Sequence, residues 1–367
     1  MRFLGWAYNY NFKQAWRHYT IRGRTADRIA LTTYLDTTYG GKSYLYYNGR
    51  SALSVALKTL LGAKVVGAKI GVNAYTCYSV IQAVEDTGAK VVFLDIDKQT
   101  FNFSAKTLAE TAKKHRLQAV IIQNTLGFTA DIKTIDKVCK LAKIKIIEDL
   151  AHSVGLDYSD GRKVGTVGDA TFFSFGRGKP VDVEHGAALV LRNQFTDAKI
   201  YTPTKMPRLR YRRSDRLYPV VGWKVRTFYR VGGKVIAWIA LNTGLIAKSA
   251  EGKVQPHVTI TNWQARLVLE QLQAGPKMSR TPLLVENRNQ VLKALTNNGY
   301  FFSDIWWDAA IGPRRLFSKV TNFDPTKTPI AYEVGEKMIN LPIDLTAKEK
   351  KEIIKIIKEA GGAGDGK

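Results

Sequence analysis

Between residues 50 and 190 the chain alternates short apolar runs with stretches whose apolar positions recur every three or four residues. Leu53, Leu57, Leu60 and Leu61 mark one face of a helix over 51–61. The same period predicts helices over 79–87, 108–115 and 132–142. The runs 69–72, 91–94, 119–123 and 144–147 are short and apolar, as strands buried on both faces are. Two more strands are expected at 170–175 and 187–191. Strands alternating with helices predict an α/β fold with a mostly parallel, doubly wound sheet. Ligands in such sheets lie beyond the carboxyl ends of the strands. Tyr75, Asn124, Asp149 and the turn at Ser174 fall at such ends.

Outside this stretch the pattern is weaker. Residues 1–48 read as an irregular, tyrosine-rich arm, 49–195 as a ligand-binding large domain, 196–258 as a basic, aromatic, insertion-like segment, and 259–367 as a smaller C-terminal α+β domain. Helices are expected over 263–273, 283–298 and 346–359, with a frayed tail at 361–367.

Composition narrows the classes. At 367 residues with 45% hydrophobic content the chain can bury a full core. Two cysteines, Cys77 and Cys139, exclude a disulfide scaffold and fit a reducing compartment. The first 20 residues lack the apolar stretch of a signal peptide, so a cytoplasmic location is expected. Five dispersed histidines give no metal-ligand spacing. The net charge of +25 favours anionic partners.

The chemistry concentrates on two stretches. Glu148-Asp149 closes the strand at 144–147, and Phe172-Phe173-Ser174-Phe175-Gly176-Arg177-Gly178-Lys179 follows thirty residues later. An acid at a strand end, a hydroxyl and a lysine in an apolar turn are what a pyridoxal phosphate (PLP) site requires. The acid keeps the pyridine nitrogen protonated, the hydroxyl holds phosphate, and the lysine forms the Schiff base. A lysine behind an aromatic run is desolvated, which lowers its pKa and makes it a usable nucleophile and base. Asp149 alone would serve equally as a helix cap; its spacing to Lys179 favours the cofactor. Asn48-Gly49-Arg50-Ser51 places a glycine turn before a helix start, a candidate phosphate cradle with Ser51 as a further hydroxyl or a plain cap. His152, three residues past Asp149, can stack on the cofactor or be structural, and the role of His185 stays open.

These stretches resemble the DegT/StrS sugar aminotransferases, which are fold-type-I PLP enzymes. The match runs through Asn48-Gly49-Arg50-Ser51-Ala52-Leu53, Ala74-Tyr75-Thr76-Cys77, Val92 to Asp97, Glu148 to Ser153 and Ser174 to Lys179, with Thr261 to Leu272 and Asn340-Leu341-Pro342 further on. The resemblance implies a PLP-transferase fold of type I, with Lys179 as the PLP lysine and Asp149 as the partner of the pyridine nitrogen. Ser174 and Gly49, Arg50 and Ser51 would bind phosphate, and His152 would lie against the ring. It also implies a homodimer moving an amino group, usually from glutamate, to a keto sugar on a nucleotide. Three departures stand out. Cys77 occupies a position where relatives stack an aromatic ring, with Tyr75 or Tyr78 as candidate substitutes. His257 aligns with an asparagine that reaches the phosphate from the partner subunit. Residues 201–255 replace the usual substrate loops.

Two alternatives remain open. The same scaffold supports sugar dehydration or epimerisation, although Lys179 favours transamination. A non-catalytic basic protein binding membrane or nucleic acid is the other. Residues 201–253 hold twelve Lys or Arg against Asp215 and Glu251. Arg208-Leu209-Arg210-Tyr211-Arg212-Arg213 interleaves bases with an aromatic, but no nucleic-acid module accompanies it. The apolar run 235–241 reads either as a core helix of the small domain or as an interfacial helix on an anionic leaflet.

Overall fold

The computed structural model describes residues 2–5, 9–192, 202–247, 253–276, 278, 280–302 and 305–361. Seven strands form the central sheet: Lys42–Tyr46 (β1), Lys69–Asn73 (β2), Lys90–Leu94 (β3), Ala119–Ile122 (β4), Lys145–Asp149 (β5), Ala170–Ser174 (β6) and Ala187–Leu191 (β7). Their order is β1-β7-β6-β5-β4-β2-β3. Only β7 is antiparallel to its neighbours; the other pairings are parallel. Both faces of this sheet are covered, and side-chain alternation divides each strand between two cores. Val120, Ile122 and Ile146 join one core, with the helix Ile132–Ala142. Ala119, Ile121 and Ile147 join the other, with the helix Gly49–Leu61. The chain reverses direction across the sheet between β4 and β2, so the carboxyl ends nearby open a crevice.

The expected α/β sheet is therefore present. The helices at 79–87 and 108–115 appear as Tyr78–Glu85 and Ala105–His115.

Residues 1–48 are not irregular. They form the helices Phe12–Thr20 and Thr25–Tyr39, and then β1 of the sheet. In the second helix only Leu31, Leu35 and Tyr39 are buried, among threonines and acids, so its apolar stripe is too narrow to announce itself. It packs on the helix Asn262–Gln273. The helix expected over 283–298 is divided. Arg280–Leu284 is a strand paired antiparallel with Met338–Pro342, and the helix begins only at Arg288, capped by Asn287. Pro282 lies in that strand and disfavours a helical start before it. The helices Arg288–Asn297 and Ala347–Glu359 close a small core on this pair through Val291, Leu295, Ile353 and Ile357. The tail beyond residue 361 lies outside the described residues.

The basic segment forms two helices, Leu209–Thr227 and Lys234–Asn242, joined by the turn Tyr229–Gly233. The first packs against the helix Phe12–Thr20. The apolar run 235–241 is not a buried core helix. Ala240 alone is fully buried, and Val235, Trp238 and Ile239 face outward.

At the end of β5 the two acids part company. Glu148 turns to the loop 158–168, where Oε1 accepts from Tyr158 Oη (2.7 Å) and Gly165 N (2.7 Å). Its Oε2 accepts from Val167 N (2.8 Å) and Gly168 N (2.6 Å). Glu148 is a fully buried structural clamp. Glu148→Ala would strand these donors, so a loss of about 3 kcal/mol of stability is expected in urea unfolding; an unchanged midpoint would refute the clamp.

Candidate active site

A cavity of 180 Å³ opens at the carboxyl ends of β4, β5 and β6. Gly49, Arg50, Cys77, Asp149, His152, Ser174 and Lys179 all line it. Lys179 is half-buried by surface because it also lines a second cavity. Its nitrogen is nonetheless packed deeply enough that burial lowers the ammonium pKa, against the opposing pull of Asp149 and Cys77. Asp149 is buried, and desolvation pushes its carboxyl up to about 6, while Lys179 and the Ala151 amide (2.9 Å to Oδ1) pull it down.

His152 Nδ1 accepts from Leu126 N at 3.1 Å, which assigns the ring proton to Nε2. Burial, with Lys179 adding to it, holds this imidazole well below its ordinary pKa, so it is neutral. The ring packs edge-on against Trp306 at 4.5 Å and beside Trp307 at 5.1 Å.

The anion cradle is built from a helix start. Asn48 caps Gly49–Leu61, its Oδ1 accepting from Ser51 N and Ser51 Oγ, both at 2.9 Å. The first amides of that helix lack intrahelical partners and favour a negative charge. A Cβ on Gly49 would meet Ser174 Cβ and Oγ at 3.0 Å, so glycine permits this close approach. Arg50 is densely surrounded, burial lowers its pKa, and its Nε is buried with no hydrogen-bond partner. A buried guanidinium nitrogen left open beside a helix N-terminus and a serine fits the phosphate of PLP.

Several expected residues lie elsewhere. Ser51 is fully buried and bonded to Asn48 and to Gln255 N (2.8 Å), off the cavity wall. Asn48 takes the cap, which turns Ser51 inward. Tyr75 is also fully buried; its Oη donates to Trp307 O at 2.9 Å, so it holds a tryptophan instead of facing the cavity. Asn124 bonds Ala130 N (2.9 Å) and Tyr158 Oη (3.2 Å) and supports the turn after β4. Gln123, one residue earlier, lines the cavity in its place. Cys77 is on the wall and half-buried, with Sγ 3.3 Å from Ser79 Oγ. His257 lies off the wall of its own chain, its carbonyl accepting from Lys205 N at 2.9 Å.

Other wall residues were not singled out by pattern. Trp306 and Trp307 arrive from the C-terminal region, signalled only by being adjacent tryptophans in a loop. His185 is on the wall, and its Nδ1 lies 2.7 Å from Asp215 Oδ1. Tyr47 stacks on His185 at 4.9 Å and donates to Asp215 Oδ2 at 2.8 Å. Asp215 comes from the helix Leu209–Thr227, so the basic segment braces the site. Arg177 pairs with Glu184 at 2.5 Å and lies 3.5 Å over Tyr218. Burial pushes Glu184 up to about 8 despite that arginine.

The second cavity, 520 Å³, shares Lys179 and Arg177 and is rimmed by Lys13, Arg17, Arg226 and Arg280. It is larger but lacks Asp149 and His152, so the reacting groups belong to the smaller one.

The family model described as DegT/DnrJ/EryC1/StrS aminotransferase family matches residues 31–227, more than half of the chain, and the chain belongs to that family. It is similar to the GDP-perosamine synthase of Escherichia coli O157:H7, 29% identical over 147 residues, 40% of this chain and 39% of the relative. It is also similar to the dTDP-3-amino-3,6-dideoxy-alpha-D-galactopyranose transaminase of Aneurinibacillus thermoaerophilus, 31% identical over 131 residues, 35% and 34% of the two chains. The chain thus matches between about a third and two fifths of the length of these curated relatives. Its fold is that of the PLP form of Spr1654 from Streptococcus pneumoniae, with a TM-score of 0.62 at 19% identity, over 93% of this chain and 92% of that one.

The Asp149 shift has a testable sign. In the PLP-free protein the folded carboxyl keeps its proton up to about 6, against an ordinary 3.8. Ionisation is therefore penalised in the fold, and the stability contributed by this group falls as pH rises from about 4 to about 6. Unfolding of wild type and Asp149→Asn across that window should show wild type losing roughly 2 kcal/mol relative to the variant. Parallel curves would contradict the shift.

Proposed function

We propose that this chain is a PLP-dependent aminotransferase that moves an amino group from an amino-acid donor, glutamate, to a keto sugar carried on a nucleotide, in cell-surface polysaccharide synthesis. The observation that carries this reading is the half-buried Lys179 sharing one cavity with Asp149 and the open Arg50 cradle. When bound, PLP supplies the electron sink that stabilises negative charge at the substrate carbon. The chain supplies the rest. Arg50 Nε, the first amides of the helix Gly49–Leu61 and the Ser174 hydroxyl would hold the phosphate. Asp149 would keep the ring nitrogen cationic, and that cation would favour its own ionised form. His152, held neutral against Trp306 and Trp307, would lie against the ring without competing for its proton. The Lys179 amine, its ammonium disfavoured by desolvation, would hold the cofactor and, once the amino donor displaces it, would take up the proton from the donor carbon.

The acceptor class draws support from the relatives. The two named relatives carry GDP- and dTDP-linked sugars in their names. The larger cavity reaches Lys179, and Lys13, Arg17 and Arg226 lie on its wall together with the carboxylates of Asp182 and Asp344. The working unit in this reading is a homodimer in the cytoplasm, with His257 of one subunit serving the site of the other.

Titration of the purified protein with PLP should raise an absorbance band at about 410–430 nm, the signature of PLP held by a lysine, and Lys179→Ala should remove it. Addition of glutamate should bleach the wild-type band and release 2-oxoglutarate. A protein that stays colourless would end the cofactor assignment. A coloured protein that never yields 2-oxoglutarate would favour dehydration or epimerisation.

A further inference from the structure

The helix Lys234–Asn242 is apolar on every side but covered on only one. Its inner stripe, Ile236, Ala237, Ala240 and Leu241, packs with Tyr218, Val221 and Val225 of the helix Leu209–Thr227. Its outer stripe is left in solvent: Val235 is 57% exposed, Trp238 65% and Ile239 47%, and Val231 in the preceding turn is 82% exposed. A helix apolar all round is ordinarily buried, so this outer stripe lacks a partner. The helix Phe12–Thr20, packed on the same neighbour, exposes a second stripe of Phe12, Trp16 and Tyr19. Phe12 touches Trp223 at 5.2 Å, joining that stripe to the basic helix.

The outward charges of the basic segment itself have one sign, although Glu270 and Asp344 lie nearby, paired with Arg17 and Arg226. Residues 202–247 contain ten Lys or Arg and one acid, Asp215. Asp215 is fully buried against His185, so the outward surface of this segment carries no carboxylate. Arg208, Arg210, Arg212, Arg213, Arg230 and Lys234 are exposed.

We propose that this face docks on the surface of an anionic lipid bilayer. Valine, isoleucine and tryptophan enter the headgroup–acyl boundary, and the flanking cations meet the lipid phosphates. The attachment is peripheral: among the described residues no helix is long and apolar enough to cross a membrane. A second copy of the chain fits less well, because a two-fold contact through this face sets like charges against each other. A nucleic acid would engage the cations but leave Val231, Val235 and Ile239 in water.

The test is co-sedimentation of the full chain with vesicles of phosphatidylcholine alone or mixed with phosphatidylglycerol, at low and high salt. Pelleting is expected only with the anionic vesicles and should weaken with salt. Trp238→Ser combined with Val235→Ser, and separately Arg230→Glu with Lys234→Glu, should each lower the partition coefficient at least about tenfold. Trp238→Ser alone alters one exposed side chain and should lower it in the same direction. Circular dichroism matching wild type confirms that the variants fold. Absent pelleting, or pelleting that none of the variants reduces, overturns the proposal. So does a variant whose only change is a halved mass in solution, which would make the face an interface between copies. Loss of single-stranded DNA binding without any vesicle binding would equally overturn it. None of these readouts depends on aminotransferase activity.

Discussion

Taking one ammonium group out of water beside one carboxylate is the constraint on which this site rests. A lone buried charge costs several kcal/mol, and a pair recovers that only when both partners are held in place. Lys179 and Asp149 move in opposite directions for the same reason: burial lowers the amine and raises the acid, and each partly restrains the other. Both shifts run toward neutrality. For the lysine that means a larger share of free amine than an exposed lysine has at the same pH. For the acid it means a group whose ionisation improves once a cation, such as a protonated ring nitrogen, stands beside it.

The scaffold gives its other buried acids structural work, which leaves Asp149 as a carboxylate that shares the cavity with Lys179 and acts on it through space. Glu148 clamps the loop 158–168 with four hydrogen bonds. Asp215 orients His185 and Tyr47 and also accepts from Gln264 Nε2 at 3.1 Å. Asp182 accepts from Gly178 N at 2.7 Å, beside Lys179 in sequence, and shares Tyr10 Oη with Glu184. The turn that presents the lysine is thus fixed from Tyr10 and the Leu209–Thr227 helix, which lie far from it along the chain. The basic segment is therefore both a brace for the cofactor cavity and an unpartnered outer surface.

The sheet and its carboxyl-end residues were legible because strands buried on both faces leave uninterrupted apolar runs. Lys179, Asp149, Arg50, Gly49, Ser174, Cys77 and His152 all reached the cavity from sequence reasoning. Three expected residues, Ser51, Asn124 and Tyr75, lie off the cavity wall for local reasons. Ser51 turns inward because Asn48, three residues earlier, takes the cap, and Asn124 gives way to its neighbour Gln123 because β4 ends at Ile122. Tyr75 sits at a strand end, but its side chain points into the core, a choice that strand position alone does not decide. The larger gaps are non-local. Trp306 and Trp307 fold in from a loop more than a hundred residues beyond the lysine, and Asp215 comes from a helix read as an insertion. The helix Thr25–Tyr39 escaped notice because a narrow buried stripe among threonines carries little periodic signal.

The most direct measurement is borohydride reduction of the PLP-treated protein at neutral pH, followed by mass mapping of its peptides. The account predicts a reduced pyridoxyl group on Lys179 and no comparable label on the other lysines, since among the described residues Lys179 is the lysine that shares the cavity with Asp149 and whose ammonium burial disfavours. Label spread over surface lysines, or confined to one other than Lys179, would contradict it.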